Sequence, residues 1–241
     1  MGGKVRIAKY LVPVLQERLK DKDTFVDLFC GSCNIISAIQ PQQSCGLAIK
    51  APNRIANDLH KELIALHKAV QQGWVPPSVV TEEDHKQARR KDGYTEDHLK
   101  AFIRFGCSFG GDYNGGYARG STDRNYALGA KNTLLKKHQN MKDVQFFNLN
   151  YSEVNIPSNS LVYCDIPYKD TTKYSTGSFD HSSFYSWCKD MKAKGHDVVV
   201  SEYLCNVPEG WEVIWKHESK KDMRNKEGEQ ESTVEVLMAP K

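Results

Sequence analysis

Apolar residues at Ile7, Leu11, Val14, Leu15 and Leu19 recur at the spacing of an amphipathic helix over residues 5–20. A short apolar run over 24–29 then reads as a strand that breaks at Cys30-Gly31-Ser32. A second strand is predicted over 54–57, after which Asp58 opens a helical pattern with Leu59, Leu63, Leu66 and Val70 on one face. Gly73 and Pro76-Pro77 stop that helix. Thr81-Glu82-Glu83-Asp84 reads as a helix start, a capping residue followed by an acidic first turn. Strand-like runs follow at 144–147, 161–164 and 198–200, with a helical stretch at 181–194 between the last two. Two final strands, 211–215 and 233–238, flank a charged turn expected over 216–231. Strands alternating with helices predict a mostly parallel sheet with an antiparallel hairpin at its edge. No internal repeat is visible.

Composition narrows the class. The 241 residues suffice for one sizeable α/β domain, or for a core domain with a smaller inserted lobe. With 39% hydrophobic and 26% charged residues, a soluble globular protein is expected. No apolar run approaches the ~18 residues of a membrane span. The basic stretch MGGKVRIAKY lacks a signal-peptide core, and Arg6 stands where a myristoylation signal wants Ser or Thr. The expected setting is the cytoplasm, where the seven cysteines would be free thiols. Net charge is only +3, but residues 85–142 hold 12 Lys/Arg against 5 Asp/Glu. A basic middle on a slightly acidic frame suits a polyanion, and equally an ordinary solvated face.

Cys30 and Cys33 form a C-x-x-C pair with several readings. A zinc site needs two further ligands, and no second C-x-x-C or H-x3–5-H pair exists. A redox pair at a helix start after a strand fits the position. A papain-like nucleophile has His181 and Asn206 at suitable distances, but Asn34 stands where an aromatic residue belongs. In the fourth reading, Gly31 lets the backbone turn sharply at a strand end against a nucleotide-like ligand. Asp58, after the second strand, can then grip the hydroxyls of a ribose.

Cys164-Asp165-Ile166-Pro167-Tyr168 leaves a later strand, and Asp165 to Tyr168 resembles the Asp-Pro-Pro-Tyr motif of DNA methyltransferases acting on exocyclic amino groups. Together with Gly2-Gly3-Lys4, Phe29-Cys30-Gly31, the run from Asp58 to Ile64, Gly73-Trp74-Val75-Pro76-Pro77, the segment 105–119 and Ser201-Glu202-Tyr203, the chain resembles the Dam-type DNA adenine methyltransferases, particularly short phage and prophage members. That resemblance implies a Rossmann-like α/β sheet with a C-terminal antiparallel hairpin and an inserted target-recognition lobe. Residues 1–75 and 140–241 would form the catalytic domain and 76–139 the insert. The implied reaction moves a methyl group from S-adenosylmethionine to the exocyclic amino group of adenine in double-stranded DNA, with base flipping.

The resemblance also implies roles. Gly3, Lys4, Phe29, Cys30, Gly31, Ser32, Asp58, Asn150, Tyr151 and Asp165 would hold S-adenosylmethionine. Asp165, Ile166, Pro167 and Tyr168 would form the catalytic tetrapeptide, with the Asp165 carboxylate and the Ile166 carbonyl accepting from the amine. Residues 105–120 carry six glycines in sixteen, interleaved with aromatics, and are not expected to form a regular helix. They suit a DNA-contacting loop: Tyr113 or Tyr117 wedging, Asp112 and Asn114 reading base edges, Arg119 and Lys131 on phosphates, Arg89 adding nonspecific attraction. A Gly-rich structural loop with core aromatics is the plainer alternative. The chain departs from the pattern at Ile166, where proline is usual, and at Cys33, where glycine is common. Cytosine amino methylation and a catalytically silent DNA-binding relative are the rival readings. No metal is expected, and a cognate restriction nuclease is a candidate partner.

Overall fold

A computed structural model of the chain describes residues 4–39, 52–90, 93–94, 96–119, 124–169, 179–224 and 230–241, and a two-stranded ribbon at 43–44 and 47–48. Seven strands form one sheet: β1 Thr24–Asp27, β2 Asn53–Asn57, β3 Gln145–Phe147, β4 Ser160–Asp165, β5 Asp197–Tyr203, β6 Trp211–Arg224 and β7 Gln230–Pro240. Their order is β3-β2-β1-β4-β5-β7-β6. The first five run parallel, and β7 pairs antiparallel with both β5 and β6. This is the mixed Rossmann-like α/β sheet with a C-terminal hairpin that the sequence predicts.

Alternation along the central strands explains why the sheet is buried on both faces. Phe25, Leu161, Tyr163 and Val199 point into one layer, with Leu11 and Leu15 of helix α1 (Ala8–Arg18). Val26, Val162, Cys164 and Val200 point into the other, with Phe184, Cys188 and Met191 of α6 (His181–Ala193). A third cluster lies beside the sheet. It joins Leu63, Leu66 and Val70 of α2 (Lys61–Gln71) to Ala101, Phe102 and Ile103 of α4 (Asp97–Gly106), with Ala88 of α3 (Glu82–Arg89) and Ala127 of α5 (Tyr126–His138). Helix α2 thus serves two cores, since its Ile64 belongs to the first layer.

Chain direction away from β1 reverses between its two neighbours, with β2 and β3 on one side and β4 and β5 on the other. At such a switch point the connections diverge and leave a crevice beyond the carboxyl ends of the strands. Both Cys30-Gly31-Ser32 and Asp165 to Tyr168 emerge there, after β1 and β4.

Three expectations need correction. Leu59 is 52% exposed and not on the buried face of α2; Asp58 accepts the His60 N–H at 2.9 Å, which holds the chain extended until Lys61. The charged stretch expected as a turn over 216–231 is largely strand, because β6 runs on to Arg224 and β7 starts at Gln230. Cross-strand pairing decides that segment in spite of its polarity. Finally, Phe105 and Gly106 end α4 and so lie inside a helix, not in a loop. Among the described residues no helix is long and apolar enough to cross a membrane.

Candidate active site

The turn after β1 is tied on both sides. Leu28 N–H donates to the Tyr163 carbonyl at 3.0 Å, Cys30 N–H to the Asn57 carbonyl at 2.9 Å, and Cys33 N–H to the Cys30 carbonyl at 2.7 Å. Gly31 has φ +47° and Cys33 φ +57°. Glycine meets no penalty there, but a side chain in the left-handed region costs roughly 1–2 kcal/mol. Cys33 is held in it by its neighbour on α2, with Sγ 3.4 Å from His67 Nε2. Burial pushes the Cys33 thiol up, but the hydrogen bond from Cys30 and the charge of His67 bring it down to about 5. Cys30 moves the other way, raised by that same hydrogen bond and by burial. The two cysteines are free thiols. Among the described residues no three His, Cys, Asp or Glu side chains group as a metal site.

Asp58 belongs to this turn. Its Oδ2 accepts the Gly31 N–H at 2.8 Å and its Oδ1 the His60 N–H at 2.9 Å. Burial raises its pKa, and these two N–H groups partly offset that. Each carboxylate oxygen keeps a lone pair for a ligand hydroxyl. Phe29 packs against Tyr151, Phe179 and Phe184 with ring centroids 5.7–5.9 Å apart. Asn150 is exposed and caps the short turn Tyr151–Glu153, accepting the Ser152 N–H at 3.1 Å.

A second cluster stands at the end of β4. Lys4 Nζ lies 3.4 Å from Asp165 Oδ1 and 3.1 Å from Glu235 Oε2 of β7. It also bonds the Tyr168 hydroxyl and sits 4.4 Å from the centre of that ring. The Tyr168 hydroxyl is 2.9 Å from Ser201 Oγ of β5. Burial raises Asp165 to about 6 against the pull of Lys4, with Glu235 and Glu202 adding to the rise. Burial alone would lower Lys4, but Asp165 and Glu235 outweigh it and its pKa is raised. The Asp165 side chain keeps 24% exposure, so its carboxylate can be reached.

The loop after Asp165 is held from below. Ile166 is 1% exposed and anchored in the core beside Phe184. The His181 ring donates from Nε2 to the Pro167 carbonyl at 2.9 Å. Glu202, fully buried, accepts the Lys169 N–H at 3.2 Å and the Tyr203 N–H at 2.7 Å. Asp27, at the end of β1, is 2% exposed and its Oδ1 has no protein partner. Burial, then the neighbouring Cys33, Asp165 and Asp58, hold its pKa well above the usual carboxylate range. Sequence reading missed Glu235 and gave Ser201 and Glu202 no role. Their signal is weak because they meet Asp165 only through the pairing of β4, β5 and β7. Gly3 lies outside the described residues.

The residues expected on DNA lie on the helices and loops around the third cluster, against which Tyr117 packs. Tyr113 is half-buried, with Arg104 3.3 Å above its ring, His60 and Phe105 against it, and its hydroxyl donating to Glu62 at 2.6 Å. The Tyr117 hydroxyl donates to the Val80 carbonyl at 2.8 Å. Both tyrosines are therefore engaged inside the lobe. Asp112 and Asn114 are exposed, Asp112 accepting the Asn114 N–H at 3.0 Å. Arg89 donates to the Gly115 carbonyl at 2.8 Å, Arg119 to Glu82 at 2.6 Å and Lys131 to Ser78 Oγ at 2.8 Å. One aromatic that sequence reading passed over stands out in solvent: Phe109, 77% exposed. It precedes Gly110 and Gly111, at φ +65° and +67°. Its own N–H donates to the Gly116 carbonyl at 2.8 Å, which fixes the base of the tip.

Comparison with known proteins agrees with the resemblance carried by the motifs. A type II methyltransferase of Planomicrobium okeanokoites, M.FokI, is 25% identical to this chain, covering 83% of it. The chain spans about a third of that relative's length, 32%. Among solved structures, a proposed RNA methyltransferase from Pyrococcus horikoshii aligns over 97% of this chain and 84% of its own, at 12% identity and a TM-score of 0.43. Residues 1–114, which include the turn after β1 and Asp58, match the family model of the D12 class N6 adenine-specific DNA methyltransferases, and over that stretch the chain is similar to that family.

Proposed function

We propose that the chain is an S-adenosylmethionine-dependent methyltransferase acting on the exocyclic amino group of adenine in double-stranded DNA. One observation carries this reading: Asp165 and the Ile166 carbonyl emerge from β4 directly beside the β1 turn that Asp58 ties down. The donor set suits the cofactor. Asp27, Asp58 and Asp165 favour a cationic ligand, Asp58 keeps acceptor capacity for ribose hydroxyls, and Phe29 with Tyr151 offers an aromatic wall to an adenine. Gly31, its neighbours Cys30 and Ser32, and Lys4 would complete the cradle, with Asn150 at its rim.

When bound, S-adenosylmethionine supplies an electrophilic methyl group. An adenine amine is a poor nucleophile because its lone pair is delocalised into the ring. Asp165 and the backbone carbonyl of Ile166 accept its two hydrogens, which favours tetrahedral geometry and localises the lone pair. Ile166 serves here as well as proline, since the group used is backbone. Lys4 holds the Asp165 carboxylate ionised, and the face of Tyr168 stacks the base. Catalysis is then positioning and electrostatic preorganisation.

The base must leave the duplex first, at a cost of a few kcal/mol. Phe109 is better placed than Tyr113 or Tyr117 to fill the gap, since both tyrosines are already committed. Residues 76–139 act as the recognition lobe, with Asp112 and Asn114 toward base edges and Arg89, Arg119 and Lys131 toward phosphates. The likeness to a type II methyltransferase supports a restriction-modification setting, with a cognate nuclease as partner.

The test is transfer of labelled methyl from S-adenosylmethionine to unmethylated genomic DNA, with Asp165→Ala alongside. Label recovered as N6-methyladenine with the wild type alone is the expected result. Label on cytosine would move the activity to that base. No label on several DNA sources would leave a silent DNA-binding protein.

A further inference from the structure

Helix α5 closes the recognition lobe, and its two ends touch different machinery. At the N-terminal end Asn125 caps the helix by accepting the Leu128 N–H at 2.9 Å, while its amide donates to the Ser78 carbonyl at 2.9 Å. One turn on, Lys131 holds Ser78 Oγ. These contacts fix the helix to the loop that leads into α3, where Glu82 carries Arg119. Thirteen residues later, ~20 Å along the axis, the helix ends on the β1 turn. There Lys137 Nζ donates to the Ser32 carbonyl at 2.8 Å.

Next to Lys137, His138 Nε2 lies 3.1 Å from His67 Nδ1. His67 Nε2 in turn faces the Gly31 carbonyl at 3.1 Å and Cys33 Sγ at 3.4 Å. All the side chains of this relay are enclosed: His67 is 1% exposed, His138 7% and Cys33 0%. The Gly31 carbonyl can only accept, so His67 Nε2 carries a proton. That N–H serves the Gly31 carbonyl, with Cys33 Sγ beside it. Burial, with His67 and Lys137, pushes His138 down to about 4, so a neutral ring shares one proton with His67 across their contact. The consecutive carbonyls of Gly31 and Ser32 are thus both held from behind, one through α2 and one by α5. Because a trans peptide points its N–H opposite its carbonyl, this also fixes the N–H of Ser32.

We propose that α5 couples the DNA-binding lobe to the cofactor turn, so that DNA and S-adenosylmethionine bind with positive cooperativity and Lys137, His67 and His138 are the positioning residues that transmit it. This rests on the function proposed above. An element fixed to the lobe at one end, and at its tip holding the Ser32 carbonyl directly and the Gly31 carbonyl through His67, cannot shift at one end without moving the other. DNA that settles the lobe therefore also settles the turn, and by linkage the cofactor returns the same factor to DNA.

The measurement is the affinity for S-adenosylhomocysteine, by titration calorimetry, without and with saturating sheared unmethylated DNA. Wild type is expected to bind about tenfold more tightly with DNA, within the usual range of coupling between sites. In Lys137→Met, which keeps the aliphatic stem, the ratio should fall to near one, and Lys137→Arg should restore much of it. DNA affinity in the absence of S-adenosylhomocysteine should stay within about twofold of wild type in both, because the lobe's surface is untouched. A wild-type ratio of one, with S-adenosylhomocysteine still bound, would overturn the coupling and leave the proposed function standing; this arm needs no variant to fold. An undiminished ratio in Lys137→Met would also overturn it. Failure of the wild type to bind S-adenosylhomocysteine at all would remove the function and the coupling together.

Discussion

Asp165 takes up a proton near pH 6 because burial outweighs the pull of Lys4. A carboxyl raised above its unfolded value favours the folded chain when neutral. That contribution is complete below the ordinary carboxylate pKa and is lost as pH rises through about 6. The proposed activity has the opposite dependence, since there the amine needs the carboxylate as acceptor. The methyl-transfer rate should therefore fall as pH drops below about 6, which a single-turnover pH profile would read. Ile166 separates packing from chemistry at the next position. Removing its 1%-exposed side chain as Ile166→Ala should cost about 2–5 kcal/mol in denaturant unfolding, although the carbonyl proposed as acceptor remains. Phe109→Ala predicts the reverse pattern. With 77% of the residue exposed, stability should stay within about 0.5 kcal/mol. The fluorescence gain of 2-aminopurine at the target position, which reports the flipped base, should be lost.

At the scale of elements, the best-founded local signal was Thr81 to Asp84. The Asp84 N–H donates to Thr81 Oγ1 at 3.1 Å and the Thr81 N–H to Asp84 Oδ2 at 2.8 Å, a reciprocal cap. Thr81→Ala should destabilise the chain by about 1 kcal/mol, measurable by thermal melting. Such caps are legible because every partner lies within four residues. The strands at Thr24–Asp27 and Ser160–Asp165 were equally plain, since burial on both faces forces an unbroken apolar run. Leu59 misled because it keeps the helical spacing while Asp58, bonded to Gly31, delays the helix. The reach of β6 was hidden for another reason. Its residues beyond Trp215 are polar apart from Met223, and only β7 opposite them makes them strand. Glu235 and Lys137 were invisible as site residues on the same ground. Each acts on a partner more than a hundred positions away, and no spacing rule spans that distance.

Charge and topology act over the whole molecule. The basic stretch 85–142 is partly neutralised where Glu82 binds Arg119 at 2.6 Å. Both side chains are solvent-accessible, so the pair contributes little to stability. It does withhold a cation from phosphate. Glu82→Gln should tighten nonspecific DNA binding and steepen the slope of log affinity against log salt by about one, as expected for one added phosphate contact. The sheet order carries a different kind of consequence. Strand β7 lies between β5 and β6 and brings Glu235 to Lys4. A chain growing from its N-terminus can pair β1, β2, β4 and β5 before β7 has been made. The turn after β1 would thus take shape while Lys4 and Asp165 still lacked their third partner. Completing the sheet and completing the Lys4–Asp165–Glu235 cluster are one event, so a half-made chain has the turn after β1 without the finished cluster, and the methylation proposed above would arrive last.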